Sequence, residues 1–209
     1  FTVELITSNS FGNDTITYSN LIQVNLTNTP PIAPSCTPTT GIAGSTGNYG
    51  ITEFNFGNLS NVSGSSIEGY SDFTCDSSLF YIGQTYNLSA THISLIPQNF
   101  FAWIDFNNNG VFETSEQIVS NLVSGDSTTV TVSIPSFGVV NTPLRLRIMS
   151  DASFSGQLNP CSDPVYGQAE DYTIYLAYNF NPPNADFESN INYSCDGIVE
   201  FSDLSTNIP

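Results

Sequence analysis

An all-β sandwich is the fold class this sequence predicts, and three observations predict it. Strand-like runs recur along the whole chain, turn residues punctuate them at close spacing, and no segment keeps a 3.6-residue apolar period. The runs are rich in aromatic and β-branched residues, which fit a pleated, half-buried surface.

The elements follow in order. Phe1-Thr2-Val3-Glu4-Leu5-Ile6-Thr7 alternates, the turn Phe11-Gly12-Asn13-Asp14 reverses the chain, and runs at 15–18 and 21–24 follow. Asn28-Thr29-Pro30-Pro31-Ile32-Ala33-Pro34 reads as a proline-rich linker. The long middle region carries strand candidates at 52–56, 85–90, 100–105, 128–134, 144–149 and 171–177. Asn179-Phe180-Asn181-Pro182-Pro183 is a second linker, and a last strand pair starts near Phe187 and Phe201. The expected units are 1–27, a linker at 28–35, a domain at 36–178, a linker at 179–184 and a final piece at 185–209. The outer pieces are too short to bury a core alone. Phe1 opens inside a strand pattern with no leader before it, so residue 1 is not expected to start the gene product.

Charge narrows the function classes. The 209 residues include 19 acids, two arginines and no lysine, for a net charge of −17. No basic patch is available to neutralise phosphate, which argues against nucleic acid and against an anionic membrane surface. No run is apolar enough to span a bilayer, so membrane insertion is not expected. Divalent cations are the natural counterions, although the same acidity also serves solubility. Aromatics at 12% and hydrophobics at 39% exclude a disordered acidic polymer. Cys36, Cys75, Cys161 and Cys195 form no CxxC pair, and one histidine, His92, cannot complete a zinc finger. Disulfides and an extracellular setting are the expected use.

One stretch names a ligand. Asp105-Phe106-Asn107-Asn108-Asn109-Gly110-Val111-Phe112-Glu113-Thr114-Ser115-Glu116 places oxygen side chains at loop positions 1, 3, 5, 9 and 12 and glycine at 6. Ca²⁺ is a hard ion that takes several oxygens on a tight curve. Asp105, Asn107, Asn109, Glu113 and Glu116 supply side-chain oxygens and Val111 a backbone carbonyl. An ordinary hairpin turn is the competing reading, since Asn-Gly runs are common there. The flanks, Phe100-Phe101-Ala102-Trp103-Ile104 and Gln117-Ile118-Val119, read as strands and not as the helices of an EF-hand.

Several blocks carry a family resemblance. Gly167-Gln168-Ala169-Glu170-Asp171-Tyr172-Thr173-Ile174, with Gly69-Tyr70-Ser71-Asp72-Phe73-Thr74, Trp103-Ile104-Asp105-Phe106-Asn107 and Leu144-Arg145-Leu146-Arg147, resembles the GEVED domain. Gln168 and Ala169 depart from the motif's second and third letters. The two ends resemble PKD domains: residues 2–24 are similar to the last strands of one, and residues 185–206 to the first strands of another. The resemblance implies a jelly-roll or immunoglobulin-like central sandwich with partial immunoglobulin-like PKD strands at both ends. It further implies secreted or surface proteins of Bacteroidetes-type bacteria, many exported by type IX secretion, with neighbouring domains of one longer chain as partners.

The remaining site expectations rest on these blocks. Glu170 and Asp171 enter an apolar strand, so one of them faces inward and needs a partner. Arg145 and Arg147 share one strand face and are the candidates for a buried ion pair. Calcium coordination by Asp151, Glu170 or Asp171 is the alternative. Cys75 and Cys161 sit beside two family-like blocks and are expected to pair, with Cys195 seeking a partner in a neighbouring module. Tyr70, Asp72, Trp103 and Tyr166 are core-packing candidates before they are a sugar-binding patch. Acid pairs are too easily met by chance among 19 acids to imply a glycosidase, and His92 has no nucleophile motif beside it. Thr15 and Ser127 are candidate O-glycan sites by resemblance to a Bacteroidetes pattern.

The expected function is a non-catalytic, calcium-binding adhesion or stalk segment, with no enzyme activity. A substrate-binding accessory module of a secreted hydrolase, for protein or polysaccharide, is the alternative, and an extracellular filament subunit a weaker one. An extracellular polysaccharide or a surface protein is the expected outside partner.

Overall fold

The computed structural model describes residues 3–10, 12–19, 29–39, 49–63, 69–92, 96–124, 127–179, 186–191, 193 and 197–205. Among them the only helical segments are two single 3₁₀ turns, Thr114–Glu116 and Ser153–Ser155. The strands are β1 (Val3–Asn9), β2 (Gly12–Tyr18), β3 (Ile51–Phe56), β4 (Leu59–Val62), β5 (Tyr70–Tyr81), β6 (Thr85–His92) and β7 (Gln98–Ile104). They continue as β8 (Gln117–Ser124), β9 (Ser127–Ser133), β10 (Leu144–Ala152), β11 (Gln168–Ala177), β12 (Phe187–Ser189) and β13 (Phe201–Asp203). The run predicted at 21–24 lies outside the described residues.

The central region is the all-β sandwich the sequence predicts. A five-stranded sheet, β5-β11-β10-β7-β8, faces a four-stranded sheet, β4-β3-β6-β9. All pairs are antiparallel except β11 with β5, and a bulge falls where Tyr172 pairs with Phe73 but Thr173 with Ser77. Between the sheets lie Phe54, Phe56, Phe80, Leu88, Phe100, Ile104, Leu146, Ile148, Tyr172 and Ile174, all fully buried.

The strands β7, β10 and β11 are buried on both faces, not one. Their outer face carries a second apolar cluster of Phe101, Trp103, Phe112, Met149, Leu158 and Ala169. This explains the unbroken run Phe100-Phe101-Ala102-Trp103-Ile104, because a strand covered on both sides by apolar side chains needs no polar alternate.

The segment expected to be a linker at 28–35 is instead a docked strap over its described part. Pro31 and Pro38 are buried. Ser35 N donates to Gly110 O at 2.6 Å, and the Ile32 and Cys36 carbonyls accept from Arg145 Nε and Arg147 Nη1. An extended proline-rich segment has free carbonyls, and two buried guanidinium groups need more acceptors than one carboxylate supplies.

The disulfide expectation is corrected at the same place. Cys161 bonds to Cys36, with Cα atoms 5.5 Å apart, and Cys75 is an exposed thiol on β5. Docking of the strap brings Cys36 to the loop that holds Cys161, while Cys75 stands on the edge strand. Cys195 lies outside the described residues. The ribbons β1–β2 and β12–β13 are each two-stranded sheets of their own.

Candidate functional site

The loop at 105–116 leaves β7 and returns as β8. Asp105 and Glu116, its first and last residues, are both buried, at 1% and 2% exposure. Their oxygens are held by the loop's own backbone. Asp105 Oδ1 accepts from Asn109 N at 3.1 Å and Oδ2 from Gly110 N at 2.8 Å. Glu116 Oε1 accepts from Asn107 N at 3.2 Å and Oε2 from Glu113 N at 3.0 Å. Asn107 Oδ1 and Asn109 Oδ1 accept from the amides two residues on, at 3.0 and 2.7 Å. Their Nδ2 groups point the other way, to Glu113 Oε2 and Oε1 at 3.2 and 2.8 Å.

The loop therefore curls round acceptor oxygens. Asn108 takes a left-handed φ of 56°, and its Oδ1 is buried without a hydrogen-bond partner. Burial and then the Glu113 carboxyl push Glu116 up to about 7, while its hydrogen bond to Glu116 and the Asn109 amide hold Glu113 below its usual range. Among the described residues the salt bridges are Arg145 and Arg147 with Asp171, so neither Asp105 nor Glu116 is salt-bridged, although Arg145 stands across from Asp105, whose N–H donates to the Arg145 carbonyl at 2.9 Å.

The donor set fits a hard cation. Each carboxylate or amide oxygen has two lone pairs, and a backbone N–H occupies one. The remaining capacity of Asp105, Asn107, Asn109 and Glu116, with the Val111 carbonyl, is the mixed oxygen chemistry Ca²⁺ takes. Among the described residues no three His, Cys, Asp or Glu side chains are grouped round one point. A site here would depend on amide and backbone oxygens as much as on acids.

The strand β11 separates the other acids. Successive side chains face opposite ways. Asp171 points to the outer cluster, where Arg147 Nε and Nη2 donate to its two oxygens at 2.7 Å each and Arg145 Nη1 donates at 2.9 Å. Arg147, fully buried, also donates to Cys36 O and Pro160 O and lies over the Phe112 ring, 4.9 Å from its centroid. Glu170 points between the sheets and accepts from Tyr172 Oη at 2.7 Å and Ser63 Oγ at 3.1 Å. Burial pushes Glu170 up to about 7. Asp151 caps a different turn, accepting from Val165 N and Tyr166 N. The three acids thus occupy three environments and share no metal point.

The motif 167–172 can be decoded residue by residue. A Cβ on Gly167 would overlap the Ser150 carbonyl of β10, so only glycine permits this approach. Gln168 Oε1 accepts the Ile51 N–H of the facing sheet at 3.0 Å. Ala169 is small beneath the outer cluster, and Glu170, Asp171 and Tyr172 alternate in, out and in.

The remaining candidates scatter. Trp103 is buried and stacks on Phe101; Tyr70 donates to Asp171, and Tyr166 packs edge-on to Tyr49 and Phe154. Asp72 caps the Thr74 amide. His92 is buried against Phe100, and burial lowers it to about 4. Thr15 and Ser127 are both exposed. Sequence reasoning missed an open groove lined by Phe106, Asn107, Ser115, Glu116, Phe137, Gly138 and Val139. The exposed aromatic in Pro135-Ser136-Phe137-Gly138 was its one visible signal.

No curated protein matches the chain. Residues 99–175, from β7 through most of β11, match the family model of the GEVED domain, and they contain both the 105–116 loop and the Arg147–Asp171 pair.

Proposed function

We propose that this chain is a non-catalytic, calcium-binding β-sandwich module of a secreted or cell-surface protein, serving as a stalk or adhesion segment. The observation that carries it is the pair Asp105 and Glu116: two buried acids in one oxygen-lined loop, neither of them salt-bridged among the described residues. Backbone N–H groups hold these carboxylates but bring no counter-charge, and a divalent cation supplies one without a lysine or arginine. The Cys36–Cys161 disulfide supports an oxidising compartment. Among the described residues no helix is long and apolar enough to cross a membrane. The ribbons β1–β2 and β12–β13 expose Leu5, Ile16, Tyr18, Phe187 and Phe201, which suits strands that complete neighbouring PKD-like modules of one longer chain.

The test is the melting temperature of the 209-residue chain in excess Ca²⁺ and in EDTA, with Asp105→Ala alongside. A rise with calcium that the variant loses supports the reading, and equal melting in both buffers removes it.

A second reading, a substrate-binding accessory module, is favoured by the groove beside the loop. Its exposed Phe137 ring stands next to the polar Asn107 and Ser115. Retardation of the chain in polysaccharide gels that Phe137→Ala abolishes would favour it over the first reading.

A further inference from the structure

The loop at 105–116 and the strap at 29–39 meet at Gly110. Gly110 hands its N–H to Asp105 Oδ2 at 2.8 Å and its carbonyl to Ser35 N at 2.6 Å. Its φ is +81°, and a Cβ there would lie 2.7 Å from Ala33 O and 3.2 Å from Ile32 Cγ2. The glycine at the loop's sixth position therefore serves two needs, the sharp turn and the close approach of the strap. The strap has a second set of holds. Arg145 Nε donates to Ile32 O at 3.3 Å, Arg147 Nη1 to Cys36 O at 3.0 Å, and Cys36 is bonded to Cys161.

We infer that calcium occupancy of the 105–116 loop and docking of strap residues 31–35 are one linked equilibrium, with Cys36 as the fixed pivot. The loop is then a calcium-dependent clamp on the segment that leads back to the β1–β2 ribbon. This rests on the calcium reading above.

The physical chain is short. A cation that takes the free lone pairs of Asp105 fixes that carboxylate, the carboxylate fixes the Gly110 amide, and the Gly110 carbonyl is the acceptor for Ser35. Linkage is reciprocal: whatever calcium adds to strap docking, docking adds to calcium affinity. Loss of calcium loosens the Ser35–Gly110 hold and leaves the strap before Cys36 on the Arg145–Ile32 contact alone, while the disulfide and Arg147 hold Cys36 itself. A joint built this way is stiff where calcium is plentiful and loose where it is scarce.

The experiment uses the 209-residue chain with CaCl₂ as the probe. Amide exchange at Ser35 is followed by NMR in saturating Ca²⁺ and in EDTA, and Ca²⁺ affinity is measured by calorimetry for wild type, Ser35→Pro and Ser35→Ala. Proline removes the N–H donor and sets its Cδ against the Gly110 carbonyl, which is not one of the candidate calcium ligands, and alanine retains the donor. Calcium is expected to slow Ser35 exchange by about tenfold, Ser35→Pro to weaken calcium binding by about the same factor, and Ser35→Ala to match wild type. Calcium binding with an unchanged Ser35 exchange rate overturns the clamp and leaves the calcium site standing. A wild-type chain that takes up no calcium overturns both.

Discussion

Arg147 and Asp171 meet fork to fork across β10 and β11, with Nε on Oδ1 and Nη2 on Oδ2, both at 2.7 Å and both side chains fully buried. Asp171 also pairs with Arg145, so one carboxylate serves both arginines of the chain. Asp171→Asn leaves two guanidinium groups without a counter-charge. Urea unfolding should show a loss of about 3–5 kcal/mol, the usual cost of stripping one partner from a buried pair. A change below about 1 kcal/mol would mean that water reaches the cluster and screens it.

The Cys36–Cys161 bond spans 125 residues of sequence and closes the strap on the outer cluster. In the chain-entropy picture a loop of this length is worth about 5 kcal/mol, with about 3–5 kcal/mol the realistic loss on mutation. Cys36→Ala and Cys161→Ala should be equally destabilised, and the double variant no worse than either. Cys75 should react with a thiol reagent in the native chain, and Cys75→Ser should melt as wild type does. Protection of Cys75 in non-reducing peptide mapping would contradict this arrangement.

Glu170 and His92 titrate in opposition. Burial raises Glu170 from 4.5 to about 7, so its contribution is full below pH 4.5 and is lost as pH rises through 7. Burial lowers His92 from 6.5 to about 4, so its contribution is present above pH 6.5 and is lost as pH falls through 4. Each swing is about 3 kcal/mol, and between pH 4.5 and 6.5 they largely cancel. Glu170→Gln removes one arm. The difference in unfolding free energy between Glu170→Gln and wild type should shift in the variant's favour by about 3 kcal/mol from pH 4.5 to pH 8. A pH-independent difference would show that Glu170 is charged throughout.

Calcium affinity should itself depend on pH. Burial and Glu113 raise Glu116 to about 7, and a cation must displace that proton to use both oxygens. Affinity should fall as the pH drops from 8 to 6, and Glu116→Gln should bind weakly with a flatter profile. Equal affinity at both pH values would exclude Glu116 as a ligand.

Much of this was legible in the sequence, and the gaps have physical causes. The strand β7 carries the unbroken apolar run at 100–104, and the two-sided burial that makes it so also makes it easy to see. The strand β5 was hidden because it is an edge strand carrying Asp72, Cys75, Asp76, Ser77 and Ser78, with a bulge in mid-course. That one of Glu170 and Asp171 faces Arg145 and Arg147 follows from strand alternation, but which one depends on register. The disulfide was hidden by composition: a segment such as Pro30-Pro31-Ile32-Ala33-Pro34 reads as a spacer, and only the acceptor demand of two buried arginines turns it into a strap. The spacing of Asp105, Asn107, Asn109, Gly110 and Glu116 was visible because a loop of this kind is local in sequence, whereas its contact with Ser35 is not.

The central claim, that the 105–116 loop holds calcium, is tested most directly by calorimetric titration of CaCl₂ into the EDTA-stripped chain beside Asp105→Ala. The account predicts one saturable site in the wild type and none in the variant. Titrations that are equally flat, or equally saturable, in both would contradict it.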